Sequence, residues 1–405
     1  MSIRILFVDD ETQLLDGLRR MLRPMRKEWE MVFSRESREA LALVEEKPFD
    51  VVICDMRMPG VDGAELLERV RELHPHTIRI MLSGYADREM ILRSVGTTHQ
   101  FLSKPCEAEQ IRRTIERATA LGDLLADERV KGVVSRLDSL PGKSNLFEEM
   151  VSELKKPTAS LDRVGEIISQ DAGMTVQILK LVNSAYFGLS QRVASPSMAV
   201  KLLGLNTITS LVLTVPVFKG VEPCLLERLG IAGVWRHSML SGLLAKAIGR
   251  SVSEDPGLGD EAFTAGVIHD VGKIVLAINE TDALGRAVEA ARHQRRKLIE
   301  TEVAEIGASH AEIGAYLLGL WGLPHSIVEA VAFHHRPSDC VHSSLSPLTC
   351  VHVANSLVRE EMPAGEGEPP APLDGDYLER LGLAGRLSEW QRKASSLAAS
   401  EGAPA

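Results

Sequence analysis

The sequence has few cysteines, no long apolar segment and no excess of positive charge. It contains 5 cysteines among 405 residues, and none are spaced as Cys-x-x-Cys. An odd number of scattered cysteines predicts free thiols in a reducing, cytoplasmic location rather than disulfides. Acidic residues at positions 9–11 interrupt the first apolar run, which argues against a signal peptide. Polar residues and Pro216 break the best candidate for a membrane span, residues 203–218.

The charge balance also limits the class of partner. The formal net charge is -10 and the pI is about 5.7, so the chain lacks the basic surface that binding to phosphate backbones needs. One basic stretch occurs, at residues 292–297, and such stretches usually form a solvated helix face. Nucleic acid is therefore not expected as the main partner, and a DNA-binding regulator would need a basic recognition helix that we do not find.

The N-terminal part alternates apolar strands with amphipathic helices. The strands that can be located are Ile5–Val8, Val51–Cys54, Ile78–Leu82 and Gln100–Leu102. The predicted helices are Thr12–Met21, Ser37–Glu45, Gly63–Leu73 and Asp87–Ser94. This alternation predicts an α/β fold, a doubly wound parallel sheet of five strands with helices on both faces.

Polar residues stand where these strands end. Asp9 and Asp10 follow the first strand, Asp55 follows another, Ser83 ends the next and Lys104 follows the last. The carboxyl ends of parallel strands meet at one edge of a sheet, so these side chains should share a pocket. Three carboxylates repel one another unless a hard cation such as magnesium neutralises them. An aspartate beside a metal and a lysine can accept a phosphoryl group.

These motifs resemble the receiver domain of two-component response regulators over about residues 1–120. The matching segments are Asp9-Asp10, Asp55 to Gly60 with Asp62-Gly63, Ser83-Gly84, and Phe101 to Pro105. The resemblance implies that Asp55 is phosphorylated by a sensor histidine kinase or a small phosphodonor. It further implies that Asp10, Asp55 and the backbone carbonyl of Arg57 hold magnesium, with Asp9 acting through water.

The same resemblance implies roles for three more residues. Lys104 would pair with the phosphoryl group, and Ser83 would hydrogen-bond to it and move inward. Phe101 would follow Ser83 as an aromatic switch.

Helical periodicity replaces this alternation after residue 106. Residues 107–137 predict one long helix or two joined pieces, which either pair with a twin in a homodimer or pack on their own domain. We expect a receiver domain at 1–120, a connector at 121–139, an all-α HD-like domain at 140–360, and a linker with a C-terminal amphipathic helix at 361–405. The predicted helices of the second domain include Leu205–Val215, Asp260–Asn279, Thr281–Glu300 and Thr301–Leu320, and the last helix is placed at Asp376–Leu397.

Several histidines of the second domain are spaced as a metal site in a helical protein would be. His237, His269 with Asp270, His310 and His334 lie on or beside four predicted helices. Inward-facing imidazoles and a bridging carboxylate suit divalent transition metals. These residues either bind such a metal or pack among themselves.

This part of the chain resembles the HDOD domain, a relative of the HD and HD-GYP phosphohydrolases, over about residues 134–340. The matching segments are Leu140-Pro141, Ile168 to Asp171, Leu179 to Gly188, Ala199 to Leu205, Trp235 to Ser238, Gly266 to Lys273, His310 to Gly314, Trp321 to Pro324, and His334-His335. Two departures from the enzymes bear on chemistry. No Gly-Tyr-Pro loop follows His335, and Asn355 stands where those enzymes carry a metal-binding aspartate.

The resemblance therefore implies an output domain that acts mainly through protein contacts rather than as an enzyme. The alternative is a metal-dependent phosphohydrolase or phosphodiesterase acting on a nucleotide or cyclic dinucleotide, in which Lys273 steadies the leaving phosphate.

Overall fold

A computed structural model of the chain describes residues 2–83, 94, 97–122, 128–135, 137, 140, 144–154, 156, 158–183, 192–205, 208, 231–340, 344–361 and 372–401. The N-terminal part is a five-stranded parallel sheet with helices, as the sequence predicts. The strands are β1 (Ile3–Val8), β2 (Trp29–Ser34), β3 (Val51–Asp55), β4 (Ile78–Ser83) and β5 (Gln100–Ser103). The helices are α1 (Thr12–Met21), α2 (Ser37–Glu46), α3 (Gly63–Leu73) and α4 (Ala108–Gly122). Most of the helix predicted at 87–94 lies outside the described residues.

The strand order is β2-β1-β3-β4-β5, the doubly wound arrangement whose ligands bind at the carboxyl edge of the sheet. All residues of β3 and β4 are buried, as expected for central strands covered on both faces. Val8 lies opposite Cys54, and Ser83 lies opposite Ser103. The polar residues that follow these positions are therefore brought to the same edge.

The remainder of the described chain is helical, which confirms the predicted fold class. Its first helices are α5 (Glu128–Ser135), α6 (Ser144–Leu154), α7 (Leu161–Ser169), α8 (Ala172–Val182) and α9 (Pro196–Leu203). The next are α10 (Ile231–Val252), α11 (Pro256–Ile268), α12 (Val271–Asn279), α13 (Thr281–Gln294), α14 (Leu298–Ile306), α15 (His310–Leu320) and α16 (His325–Phe333). The last are α17 (Pro347–Glu361), α18 (Gly375–Arg380) and α19 (Leu387–Glu401). No described helix combines the length and apolarity needed to cross a bilayer.

The helix predicted at Asp260–Asn279 is wrong as a single element. It is two helices, α11 and α12, with a corner at His269 and Asp270. Residues 264–277 are all buried, so the run of buried residues continues through the corner and hides the break from a periodicity argument. The corner places His269 and Asp270 at helix ends rather than inside a helix.

Three other predicted helices have different bounds. The segments predicted at Thr281–Glu300 and Thr301–Leu320 are divided by Arg295 and Gly307, which have left-handed backbone with φ of 50° and 94°. The single C-terminal helix is instead α18 and α19, separated by a short 3-10 turn at Ala384–Arg386. The helix predicted at Leu205–Val215 lies almost entirely outside the described residues.

The two parts of the molecule contact each other through α15, which packs against α4 and α5. The side-chain amide of Gln100 on β5 donates a hydrogen bond to the carbonyl of Gly319 on α15, at 3.2 Å. The buried guanidinium of Arg79 on β4 donates to the carbonyl of Ser135 on α5, at 2.8 Å. The Ser135 hydroxyl is 3.5 Å from that of Tyr316 on α15. The connector helix thus packs on its own chain.

The C-terminal helices α18 and α19 complete the helical domain by covering α10 and α17. Trp390 is fully buried, and its indole N–H donates to the Ser251 hydroxyl at 3.1 Å. The Tyr377 hydroxyl lies 2.8 Å from that of Thr349. These contacts make the C-terminal helices part of the core of the helical domain. Most of the predicted linker, residues 362–371, lies outside the described residues.

Candidate functional site

The first site lies at the carboxyl edge of the sheet, where Lys104 joins two buried aspartates. Its Nζ is 2.7 Å from Asp9 Oδ2 and 2.5 Å from Asp55 Oδ1. The other oxygen of Asp55, Oδ2, accepts a hydrogen bond from the backbone N–H of Arg57 at 3.1 Å. Glu11 Oε1 lies 3.6 Å from the same ammonium. Each Asp55 oxygen is therefore held by a donor, which fixes the orientation of the carboxyl group.

The electrostatics of this pocket favour a further cation. Burial raises the pKa of Asp9 and Asp55, and Lys104 offsets only part of that rise. Burial alone would lower the pKa of Lys104, but its hydrogen bonds to both aspartates raise it overall. Ligand oxygens of Asp9, Asp55 and the exposed Asp10 lie within 4.8 Å of one another. Three carboxylates beside one ammonium leave an excess of negative charge. Such a pocket suits a divalent cation that prefers oxygen ligands, such as magnesium.

The two predicted switch residues lie on the neighbouring strands β4 and β5. The Ser83 side chain is buried, and its hydroxyl has no hydrogen-bond partner among the described residues. Phe101 lies on β5 opposite Met81 and is 7% exposed. Gly84, part of the same motif, lies outside the described residues. The unpartnered Ser83 hydroxyl leaves a hydrogen bond available to a ligand at the edge of the sheet.

Gly63 allows helix α3 to begin directly against the phosphoacceptor candidate. A Cβ at this position would lie 2.1 Å from the Asp55 carbonyl oxygen. No real side chain tolerates that distance, so the approach of α3 requires glycine. The Asp62 side chain caps the helix by accepting a hydrogen bond from the Glu65 N–H at 2.8 Å.

The second site is a buried histidine cluster around Asp270 in the helical domain. Two groups of candidate ligands share this aspartate, and within each group the ligand atoms lie within 4.8 Å of one another. One group contains His237, His269 and Asp270, and the other contains Asp270, His310, His334 and His335. The residues come from α10, the corner between α11 and α12, the start of α15, and the end of α16.

The hydrogen bonds of two rings direct unprotonated nitrogens toward Asp270. His269 Nδ1 donates to the Gly266 carbonyl at 2.7 Å, and His334 Nδ1 donates to the Val331 carbonyl at 2.8 Å. Burial lowers the pKa of both rings, so each is neutral and carries a lone pair on Nε2. These Nε2 atoms lie 3.5 and 3.8 Å from Asp270 oxygens and have no described hydrogen-bond donor. Lone pairs facing a carboxylate are typical of a metal site.

Asp270 also has cationic neighbours within the protein. Lys273 Nζ is 2.8 Å from its Oδ2, and His310 Nε2 is 3.2 Å from its Oδ1. Although burial opposes ionisation, Lys273 and the interaction with His310 hold the pKa of Asp270 well below its usual range. Glu302 accepts a hydrogen bond from His310 Nδ1 at 2.6 Å. Burial lowers the pKa of that ring, but Glu302 and Asp270 together raise it overall. The lysine and the His310 ring can therefore balance the Asp270 charge themselves.

His237 has a different partner from the other histidines. Its Nε2 is 2.8 Å from the side-chain oxygen of Asn355, the residue that stands where HD enzymes carry an aspartate. An amide oxygen accepts a hydrogen bond, so this contact places the ring proton on Nε2 and occupies the nitrogen that would bind a metal. His237 is thus among the candidate ligands by position, but Asn355 occupies its Nε2.

Two members of this cluster were missing from the sequence-based site. His335 was noted as part of a motif but not as a ligand, and its Nε2 lies 3.1 Å from His310 Nε2. Glu302 was not singled out, and its only sequence signal is an acid on the apolar face of a helix preceding His310. The predicted motif at residues 184–188 lies outside the described residues.

The family comparisons agree with this arrangement of two domains. Residues 5–116 match the response regulator receiver domain, and residues 140–337 match the HDOD domain. The chain is therefore a response regulator with a receiver domain followed by an HDOD domain.

Individual relatives match parts of this architecture. The chain is 27% identical over 251 residues to an uncharacterized protein of Treponema pallidum, covering 62% of this chain and 47% of that protein. It is 30% identical over 191 residues to the hydrogenase transcriptional regulatory protein HoxA of Cupriavidus necator, covering 44% and 39%. The match thus spans less than half of either relative. The MmoQ response regulator of Methylococcus capsulatus shares the fold, with a TM-score of 0.51 and 21% identity over 62% of this chain and 98% of that one.

Proposed function

We propose that this protein acts in a phosphorelay, that its receiver domain is phosphorylated on Asp55, and that its HDOD domain acts through protein contacts. The observation that carries the proposal is the bridge from Lys104 to Asp9 and Asp55 in a pocket with excess carboxylate. Magnesium bound by Asp9, Asp10, Asp55 and the Arg57 carbonyl would supply the positive charge that phosphoryl oxygens require.

The chemistry assigned to the residues themselves is a simple displacement. A carboxylate oxygen of Asp55 attacks the phosphorus of a histidine kinase phosphohistidine or a small acyl phosphate. The new O–P bond forms as the bond to the imidazole or carboxylate leaving group breaks, and Asp55 becomes an acyl phosphate. Lys104 is placed to pair with the transferred group, and the Ser83 hydroxyl to donate a hydrogen bond to it. Phe101, on the neighbouring strand β5, would follow that movement.

Phosphate-affinity electrophoresis after incubation with acetyl phosphate and magnesium tests this proposal. The wild type should give a retarded band, and Asp55→Asn should give none. Asp16→Asn, which changes a half-exposed aspartate on α1, should behave as the wild type. Equal phosphorylation of the Asp55→Asn and wild-type proteins would refute the assignment.

We further infer domain roles and partners from the contacts around α15. The receiver occupies about 1–120, the connector 121–139 and the output domain 140–360. A sensor histidine kinase or small phosphodonor supplies the phosphoryl group. We propose a protein as the output partner, because Asn355 occupies the His237 nitrogen that a metal-dependent hydrolase would need. A homodimer and a cytoplasmic location stay predictions.

The second candidate function is metal-dependent hydrolysis of a nucleotide or cyclic dinucleotide. It is favoured by the Nε2 lone pairs of His269 and His334 facing Asp270. Metal analysis of the protein purified without chelators, with hydrolysis assays in manganese or iron, separates the two functions. Stoichiometric metal with turnover that Asp270→Asn abolishes would establish the enzyme. Absence of turnover in the metal-loaded protein would leave the binding function.

A further inference from the structure

A cavity of about 260 Å³ lies between the receiver and HDOD domains. Gln100 and Arg117 of the receiver form one side of it. Much of the other side is apolar and comes from α16, including Val328, Ala332 and Phe333. A mainly apolar pocket with a few polar groups at one side is the usual form of a small-molecule site.

Two arginines line this cavity, and both residues are exposed to solvent. Arg192, from the segment before α9, lines the cavity with Arg117. Protein surrounding the Arg192 guanidinium, together with the charge of Arg117, lowers the pKa of Arg192 to about 10. Within the described ranges, neither guanidinium forms an ion pair with an acidic side chain. Two like charges held close together are unfavourable unless an anion joins them.

Gly322 makes room for this arrangement at the end of α15. A Cβ there would lie 2.9 Å from Arg192 Nη1 and 3.2 Å from Gln100 Oε1. Its φ of +72° also favours glycine. The acid in the lining, Glu329, lies 3.5 Å from His325 Nε2, so that carboxylate is directed to a histidine. The two guanidiniums therefore lie beside a lining that is partly apolar and that also contains His325 and Glu329.

We propose that this cavity binds a small organic anion whose phosphate or carboxylate lies between Arg117 and Arg192 and whose apolar body packs against α16. Guanidinium groups bind both kinds of head group through paired hydrogen bonds. The inference goes beyond the proposed function, because it concerns a site distant in sequence from Asp55 and needs no phosphorylation.

Such a ligand would act as a bridge between the domains. It would contact α4 of the receiver through Arg117 and α16 of the HDOD domain through Phe333. The next residue after Phe333 is His334, a member of the histidine cluster. Because a ligand stabilises the state that binds it, occupancy would favour the docked arrangement of the domains.

Fluorescence titration of the full chain with 1-naphthyl phosphate, 1-naphthoate and the neutral 1-naphthol tests the proposal. At least one anion should bind saturably and at least tenfold more tightly than naphthol, and the tighter anion identifies the head group. Arg117→Gln and Arg192→Gln should each weaken that anion at least tenfold. Arg20→Gln, at an exposed position on α1, should leave the affinity unchanged.

A second variant separates the cavity from a general effect of charge. Val328→Phe fills the apolar side, and it should weaken binding of the anion by at least tenfold while the circular dichroism spectrum stays that of the wild type. If Val328→Phe fails to fold, the two arginine variants decide the result. The proposal is overturned if neither anion binds saturably, or if both arginine variants bind as tightly as the wild type.

Discussion

Replacing Gly272 with alanine is a direct test of how the histidine cluster is held together. A Cβ at this position would lie 1.9 Å from the carbonyl oxygen of His310 and 2.9 Å from the backbone nitrogen of Gly314. Both atoms belong to the backbone of α15, so α12 and α15 must separate to admit a methyl group. Overpacking of a core costs roughly 1–3 kcal/mol. Because no side chain can rotate away here, we expect a loss of about 3 kcal/mol in the free energy of unfolding.

Urea unfolding followed by tryptophan fluorescence measures this loss, since Trp321 and Trp390 are buried in the helical domain. The matched control is Gly285→Ala on α13, where a Cβ would meet nothing within 4 Å. Alanine is a better helix former than glycine, so the control should gain up to about 1 kcal/mol. An unfolding midpoint for Gly272→Ala equal to that of the wild type would refute the close approach of the two helices.

Three further predictions concern other sites. Gly63→Ala should slow phosphorylation by acetyl phosphate, because its Cβ displaces the Asp55 carbonyl, whereas Gly17→Ala, with open space around it, should not. Burial holds the pKa of His99 well below its ordinary 6.5, so its stabilising effect is present above pH 6.5 and lost as the pH falls below that value. Unfolding measured at pH 7.5 and at pH 5.5 should therefore show a smaller acid loss for His99→Asn than for the wild type. Ser309→Ala removes one half of the capping box of α15 and should cost about 1 kcal/mol, and an unchanged melting temperature would contradict the cap.

The strands of the receiver could be predicted from the sequence wherever both faces are covered. Every residue of the central strands β3 and β4 is buried, and these strands are mainly apolar, with Arg79 as the charged exception inside β4. The edge strand β2 was counted but not located, since Trp29–Ser34 is only partly buried and includes the exposed Glu30. The carboxyl ends of parallel strands meet at one edge of the sheet. The pocket around Lys104 could therefore also be predicted from the sequence.

The histidine cluster could be predicted only in part. Histidines on several predicted helices were sufficient to predict a shared site. The corner at Asp270 could not be predicted, because the apolar periodicity does not show the break between α11 and α12. Glu302 illustrates a second limit, because it reaches His310 from a different helix. Spacing along the chain also cannot show that Asn355 contacts His237, which lies 118 residues away.

His352 gives the C-terminal helices a consequence beyond packing. Its Nδ1 donates to the His334 carbonyl at 2.7 Å, and its Nε2 accepts the Asp374 backbone N–H at 2.9 Å. Asp374 caps α18 by accepting a hydrogen bond from the Tyr377 N–H. A protease cut just after α17 would therefore remove one of the two partners that orient this imidazole. Loss of the C-terminal helices would weaken the support of His334, which faces Asp270 and lies more than 35 residues before Asp374 in the sequence.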